Sequence, residues 1–388
     1  MQKAKSKIKA LTGGYAMAEA LRQIHPDVMA VYPITPQTPI IETYAKLKAD
    51  GLVDTEIVQI ESEHSAMSAT IGASAAGARA VTATSSQGLL YMAETLPVAS
   101  GLGLPIVMCV SSRALSAPLN IHGEHGDVMA VRDLGWVQIF GEQAQDAYDN
   151  VLIAERLAEA MSVPVMPIMD GFHTSHTTER VEILDDDTAK EFIGKYEPQQ
   201  SLTDQKDPIS IGTLALQNTY FEFKLEQEKN FEKVKAAYVK ICKEFAKISG
   251  RQHELYEQYQ TDDADSVIVM MGATAGTAKE TVDQLRAEGK KVGLLVIKLF
   301  RPFPYKEIGN VLSHIKKIAV LDRAISFGAF PPLFSDISNS MHYASSQKYQ
   351  LASYIYGLGG RDTFRKDIAK VFEDLENGEL TNKIKYLQ

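Results

Sequence analysis

Three side chains in this 388-residue sequence stand where residue type and neighbours would allow chemistry: Glu63, Thr35 and Arg113. Glu63 follows Val58-Gln59-Ile60, which reads as the end of a buried strand, and Ser62, which is able to cap a helix. The carboxylate therefore falls in the first turn of a helix at a strand-to-helix junction. A lone carboxylate in that place usually does no more than complement the helix dipole, so any further meaning has to come from its neighbours. Thr35 lies in Pro33-Ile34-Thr35-Pro36-Gln37-Thr38-Pro39, where three prolines in seven residues fix the backbone and remove donors. The segment reads as a rigid rim or a stiff connector, and Thr35 within it has a hydroxyl with few conformations to lose. Arg113 follows the apolar run Leu104 to Val110 and Ser111-Ser112, at the C-terminal end of another strand. A guanidinium there suits either a carboxylate held by paired hydrogen bonds or a surface salt bridge.

A fourth group, His122-Gly123-Glu124-His125-Gly126-Asp127, superficially offers metal ligands. His122, His125 and Asp127 would have to share one helical turn, and the glycines between them disfavour a helix. The expectation is a polar loop over a pocket with no metal.

The elements that must position these residues follow an α/β pattern. Lys7 to Leu11 reads as a first strand and Tyr15 to Gln23 as a helix, together the opening βα unit of a sheet. Strands are expected at Val28 to Tyr32, Arg79 to Thr84, Leu104 to Val110, Trp136 to Phe140 and Pro164 to Met169, with a helix from Ala144 to Met161. This describes one doubly wound domain, whose ligands bind outside the carboxyl ends of the strands. After Glu63, Ala66, Ala69, Gly72, Ala73 and Ala76 recur at helical spacing, a face of small residues open to close approach. From Thr178 to Ile209 the chain reads as an irregular polar arm, and Phe231, Val234, Tyr238, Ile241, Phe245 and Ile248 then mark a long amphipathic helix lying on this chain or on a partner. Past the acidic stretch Asp262 to Asp265 the pattern restarts as a second, smaller α/β domain, giving expected domains of 1–260 and 261–388. Its GATAG turn at 272–276 lacks the lysine of a P-loop and the full GxGxxG spacing, so it is read as a helix start. The loops Arg323 to Pro332 and Tyr354 to Asp362 look ordered, with no purpose legible in their pattern.

Composition narrows the class. A net charge of −9 disfavours nucleic acid or an anionic membrane as partner. No apolar run reaches the length of a membrane span, and the basic N-terminus has no signal-peptide core, so a cytoplasmic location is expected. The two cysteines, Cys109 and Cys242, are too few for a disulfide framework or a four-cysteine cluster.

Taken in order, YPITPQT at 32–38, IESEHSA at 60–66, TSSQG at 84–88, SSRALSAPLNIHGEHGD at 111–127 and YGLGGRD at 356–362 resemble the alpha subunit of pyruvate:ferredoxin oxidoreductase, within the 2-oxoacid:ferredoxin oxidoreductase family. The resemblance covers nearly the whole chain. It implies a doubly wound, pyrimidine-binding domain for thiamine diphosphate, followed by a domain like the C-terminal domain of transketolase. It assigns Glu63 to the aminopyrimidine of the cofactor, Pro33 and Thr35 to the loop beside it, and Arg113 with Thr35 to the substrate, the arginine on the 2-oxoacid carboxylate. It further implies that pyruvate and coenzyme A give acetyl-CoA, carbon dioxide and reduced ferredoxin, or the reverse. The chain lacks the GDG motif and downstream asparagine that hold magnesium and diphosphate in thiamine enzymes. Magnesium and [4Fe-4S] clusters are therefore expected on beta, gamma and delta subunits. One departure is Gly13-Gly14, where many relatives carry Gly-Asn.

Three other readings stay open at this point: a 2-oxoglutarate or branched-chain 2-oxoacid enzyme with the same mechanism, a non-catalytic scaffold subunit, and an unrelated metal enzyme using His122, His125 and Asp127.

Overall fold

A computed structural model describes residues 6–344, 348–378 and 383–388. Residues 1–5, part of the basic N-terminal run, lie outside the described residues. In chain order the strands are β1 (Ser6–Thr12), β2 (Val28–Val31), β3 (Glu56–Gln59), β4 (Ala80–Thr84), β5 (Val107–Ser112), β6 (Val137–Phe140), β7 (Val165–Asp170) and β8 (Thr178–Leu184). They continue as β9 (Tyr256–Tyr259), β10 (Ser266–Met270), β11 (Val292–Ile297), β12 (Leu299–Arg301), β13 (Lys317–Asp322), β14 (Gln350–Ile355) and β15 (Lys385–Tyr386).

The larger sheet runs β12-β6-β7-β5-β4-β2-β3, parallel throughout except for β12 at one edge. Its central strands β4, β5 and β7 are buried on both faces. On β5, Val107 and Cys109 enter one core while Met108 and Val110 enter another, which is why the run is continuously apolar. The second sheet runs β15-β14-β13-β10-β11-β9, with only β9 antiparallel. On β10, Val267 and Val269 face the larger sheet's core, and Ile268 and Met270 face the far side. The two sheets therefore share one layer of core, in which Met108, Met166 and Ile168 join Val267, Leu295 and Val320. Strand β12 leaves the second sheet's chain segment to pair with β6, a further covalent tie between the two.

The first strand departs from expectation. β1 pairs antiparallel with β8 in a separate two-stranded ribbon, Ser6 opposite Leu184 and Thr12 opposite Thr178. Its residues Ser6 to Ala10 are exposed, as the alternating lysines of SKIKA allow, and such a strand cannot enter a sheet covered on both faces. The stretch expected to be irregular from Thr178 thus contains β8 and then a helix, Asp186–Ile193, whose N-cap Asp185 accepts from the Thr188 amide. Below Ile193 the chain is irregular as far as Thr219.

The long helix, Tyr220–Ser249, lies on this chain over its second half: Val234, Tyr238, Ile241, Cys242 and Phe245 join the core against the helix Ala144–Met161. Its first turns leave Tyr220, Phe221 and Phe223 exposed. Among the described residues, no helix is long and apolar enough to cross a membrane.

Candidate functional site

The parallel strands of the larger sheet bring the loops after β2, β3, β4, β5 and β7 to one edge. Glu63 opens the helix Glu63–Ala75, and its N-cap is Ser62, whose Oγ accepts from the Ser65 amide at 3.3 Å. The two acids of the IESE segment diverge. Glu61 is exposed and takes the Ser65 hydroxyl, whereas Glu63 turns inward with 7% of its surface exposed and, among the described residues, no hydrogen bond or ion pair. Neither Glu63 oxygen is among the fully buried atoms left without a partner, so the carboxylate stays within reach of a ligand.

The roof over this carboxylate is Gly88, in the short helix Ser86–Tyr91. A Cβ at Gly88 would lie 2.7 Å from Glu63 Oε1 and 2.6 Å from Thr84 Oγ1. Thr84 Oγ1, Ser85 Oγ and Ser111 Oγ are buried without partners, at the carboxyl ends of β4 and β5. Of these, Thr84 Oγ1 neighbours Glu63 under Gly88, whereas Ser111 continues the β5 face of Val107 and Cys109, opposite that of Val110. The helix face buried beside Glu63 is Ala66, Met67, Thr70 and Ser74, and the small-residue face is only partly covered, with Gly72 open to solvent.

Arg113 is 6% exposed. Its Nη1 donates to Thr35 O at 2.8 Å and its Nε to Asn120 O at 3.0 Å, so the guanidinium is held by two carbonyls and its side chain meets no carboxylate. Burial pulls its pKa down, against the opposing pull of Asp127. Nη2 makes no hydrogen bond among the described residues, leaving one edge of a buried cation for an anion. Thr35 and Pro33 lie on the exposed lip of the proline loop, and Gln37 steadies that loop by donating to Tyr32 O at 3.0 Å. The structure thus joins Thr35 to Arg113 directly, while Glu63 lies under Gly88, in the turn that Asp127 ties to Arg113.

The HGEHGD segment is a structural clasp. Asp127 is fully buried and accepts from the amides of Ser86 (2.8 Å), Arg113 (3.0 Å) and Val128 (2.8 Å) and from Ser112 Oγ (2.7 Å). It ties the TSSQG turn to the SSR turn. Burial raises its carboxyl pKa while these hydrogen bonds pull it back. His125 Nε2 lies 2.6 Å from Asp170 Oδ1 at the end of β7. Both are therefore committed elsewhere, and among the described residues no group of three or more His, Cys, Asp or Glu side chains is placed to hold an ion. The metal-enzyme reading loses its ligands.

Asp170 and Arg323 were not visible as functional residues in the sequence. Asp170 Oδ2 accepts from Arg323 Nη1 at 2.9 Å and from the Ala273 amide at 2.9 Å. Burial pushes the Asp170 carboxyl up, but His125 and Arg323 outweigh it and hold the group well below the ordinary carboxylate range. This network bolts the end of β7 to the end of β13. The signal that could have found Asp170 is the one that marked Arg113: a charged residue directly after an apolar strand.

Comparison with known proteins places this geometry in a family. Residues 19–243 match the family described as pyruvate flavodoxin/ferredoxin oxidoreductase, thiamine diphosphate-binding, and residues 264–368 match pyruvate:ferredoxin oxidoreductase core domain II. The chain belongs to this family of 2-oxoacid:ferredoxin oxidoreductases and carries its thiamine diphosphate-binding domain. It is 50% identical over 373 residues to pyruvate synthase subunit PorA of Thermotoga maritima, covering 96% of this chain and 95% of that one. It is 41% identical over 383 residues to ketoisovalerate oxidoreductase subunit VorA of Pyrococcus horikoshii, covering 97% of each. In fold it is similar to a 2-oxoglutarate:ferredoxin oxidoreductase from Magnetococcus marinus, with a TM-score of 0.74 at 20% identity, covering 95% of this chain and 65% of that one. The names of the relatives as subunits place the chain in a complex with other subunits.

Proposed function

We propose that this chain is the alpha subunit of a pyruvate:ferredoxin oxidoreductase and supplies the pyrimidine and substrate-carboxylate half of its active site. The observation that carries the assignment is the buried, unpartnered Glu63 under Gly88, with the anion-ready Arg113 on the same edge of the sheet. Glu63 would meet ring nitrogen N1′ of the aminopyrimidine of thiamine diphosphate, with the unpartnered hydroxyl of Thr84 beside it under Gly88. When bound, thiamine diphosphate supplies the carbon nucleophile that adds to a 2-oxoacid and lets its carboxylate leave as carbon dioxide.

The chain's own residues do the rest. Glu63 holds a proton at N1′, which favours the ring tautomer whose exocyclic nitrogen is basic. Arg113 binds the 2-oxoacid carboxylate through its unspent edge and aligns the adjacent keto carbon. Thr35, fixed between two prolines, presents its hydroxyl beside that carbonyl, with Pro33 shaping the lip. Nothing in the chain supplies a diphosphate-magnesium motif, and both cysteines are buried and unpaired. Magnesium, the [4Fe-4S] clusters, coenzyme A chemistry and contact with ferredoxin are accordingly placed on beta, gamma and delta-type subunits. The proposed location is cytoplasmic, which suits free thiols.

Pyruvate is favoured as substrate because a relative named pyruvate synthase reaches 50% identity, against 40–42% for three relatives named ketoisovalerate oxidoreductase. The test is viologen reduction by the anaerobically isolated complex with pyruvate, 2-oxoglutarate or a branched 2-oxoacid, with and without coenzyme A. Coenzyme A-dependent reduction with pyruvate alone is expected. Reduction with another acid instead would move the substrate and keep the half-site.

A further inference from the structure

We infer that the second sheet sets the orientation of the substrate arginine through Asn120, a positioning residue, by way of a clamp at Gly359. This rests on the reading of Arg113 as the carboxylate ligand. A planar guanidinium gripped at Nε and Nη1 has the direction of its remaining edge fixed by the two atoms that grip it. One grip, Thr35 O, belongs to a loop stiffened by its own prolines. The other, Asn120 O, belongs to the irregular segment between Arg113 and Gly126, where flanking Leu119 and Ile121 are exposed. Hydrogen bonds must therefore hold Asn120 in place.

The backbone on either side is tied to β5 by the Ala114 amide donating to His122 O at 3.0 Å and Ser112 Oγ donating to Glu124 O at 2.5 Å, while the Asn120 side chain is held from the loop after β14. Asn120 Nδ2 donates to Gly359 O at 2.9 Å, and the Gly359 amide donates to Glu124 Oε2 at 2.9 Å, so both backbone polar groups of Gly359 grip the loop. Asn120 Oδ1 in turn accepts from the His122 amide at 2.7 Å. Gly359 has φ of +60°, and a Cβ there would strike the Asn120 side-chain amide. A Cβ at Gly360 would strike His122. The turn is itself fixed from behind: Gly357 O accepts from Arg323 Nε at 3.1 Å, and Arg323 is the partner of Asp170. A continuous line of contacts runs from β13 through Gly357–Gly359 to Asn120 and Arg113. The clamp acts on how well the 2-oxoacid carboxylate is held, without touching the substrate.

The test compares Asn120→Ala, Glu124→Ala, Glu124→Gln, Gly359→Ala and Arg113→Ala in the intact complex. Its readouts are KM for pyruvate, KM for coenzyme A, kcat and thermal midpoint. Asn120→Ala, Glu124→Ala and Gly359→Ala are expected to raise KM for pyruvate roughly tenfold, the scale of one misdirected hydrogen bond to a charge. kcat and KM for coenzyme A should change little. Glu124→Gln should stay near wild type, because the amide oxygen still accepts from Gly359. If Asn120→Ala and Glu124→Ala leave KM for pyruvate unchanged while Arg113→Ala raises it, the clamp is wrong and the Arg113 reading survives. If Arg113→Ala itself leaves KM unchanged, both fall. A parallel loss of kcat, coenzyme A affinity and stability in the clamp variants would show a loop that is merely structural, and would also overturn the inference. Should Gly359→Ala fail to fold, the Asn120 and Glu124 variants decide.

Discussion

At the scale of residues, the account separates three jobs, and each has its own expected signature. Under the proposed role, replacing Arg113 by Ala removes the cation that holds the substrate carboxylate in the ground state, so KM for pyruvate should rise by roughly 10- to 100-fold with a smaller change in kcat. Steady-state kinetics of the complex reads this directly, and an unchanged dependence on pyruvate would remove Arg113 from the site. Gly88→Ala forces a methyl group against Glu63 and Thr84. It should weaken thiamine diphosphate retention by the complex, measured by equilibrium dialysis, while costing about 1–3 kcal/mol of stability. Retention equal to wild type would mean that Glu63 has room to move. Glu63, Thr35 and Arg113 stand out in the sequence because each comes at a turn after a strand, while the roles proposed for them come from the family resemblance. Gly88 as the roof of the carboxylate, and Asp127 as a four-donor clasp, were not legible. Both depend on contacts between segments distant in sequence, and the histidines beside Asp127 drew attention to metal chemistry instead.

Elements were read well where both faces are buried. The helix Ala144–Met161 and the strands β4, β5, β7, β10 and β13 follow from apolar runs whose period cannot be mistaken. The errors fell on solvent-facing elements. SKIKALT was assigned to the main sheet because a strand followed by a helix suggests a βα unit, yet its exposed lysines belong to a ribbon with β8. Inter-element bolts are likewise invisible to periodicity, and the strongest is Asp170 with His125 and Arg323. Asp170→Asn leaves the Arg323 guanidinium buried without its counter-charge, and about 3–5 kcal/mol of stability should be lost at pH 7. The sign of the pH dependence follows from the direction of the shift. The folded-state pKa of Asp170 lies below its unfolded value near 3.8, so its contribution is complete above that value and disappears as pH falls through the folded value. Acid unfolding followed by circular dichroism should therefore be shallower in Asp170→Asn than in wild type below about pH 4. Parallel acid profiles would place the ionic tie elsewhere.

At the scale of the molecule, the shared core layer between the two sheets makes the second sheet a fixed wall of the site. From that wall the loops after β13 and β14 reach the HGEHGD clasp, through Arg323 O accepting from the His125 amide and the Gly359 amide donating to Glu124. Among the described residues no group of three or more His, Cys, Asp or Glu side chains is placed to hold an ion, and the proposed function leaves diphosphate and iron to partner subunits. The isolated chain should consequently bind thiamine diphosphate weakly and show no turnover, and tight binding with turnover by the chain alone would contradict the half-site. The most direct measurement is pyruvate-dependent viologen reduction by the purified complex carrying Glu63→Gln, with cluster content and thiamine diphosphate occupancy matched to wild type. Loss of a positioned proton-holding carboxyl group should lower the rate by at least about a hundredfold. A rate equal to wild type would contradict the central claim and leave this chain a scaffold for a site built by its partners.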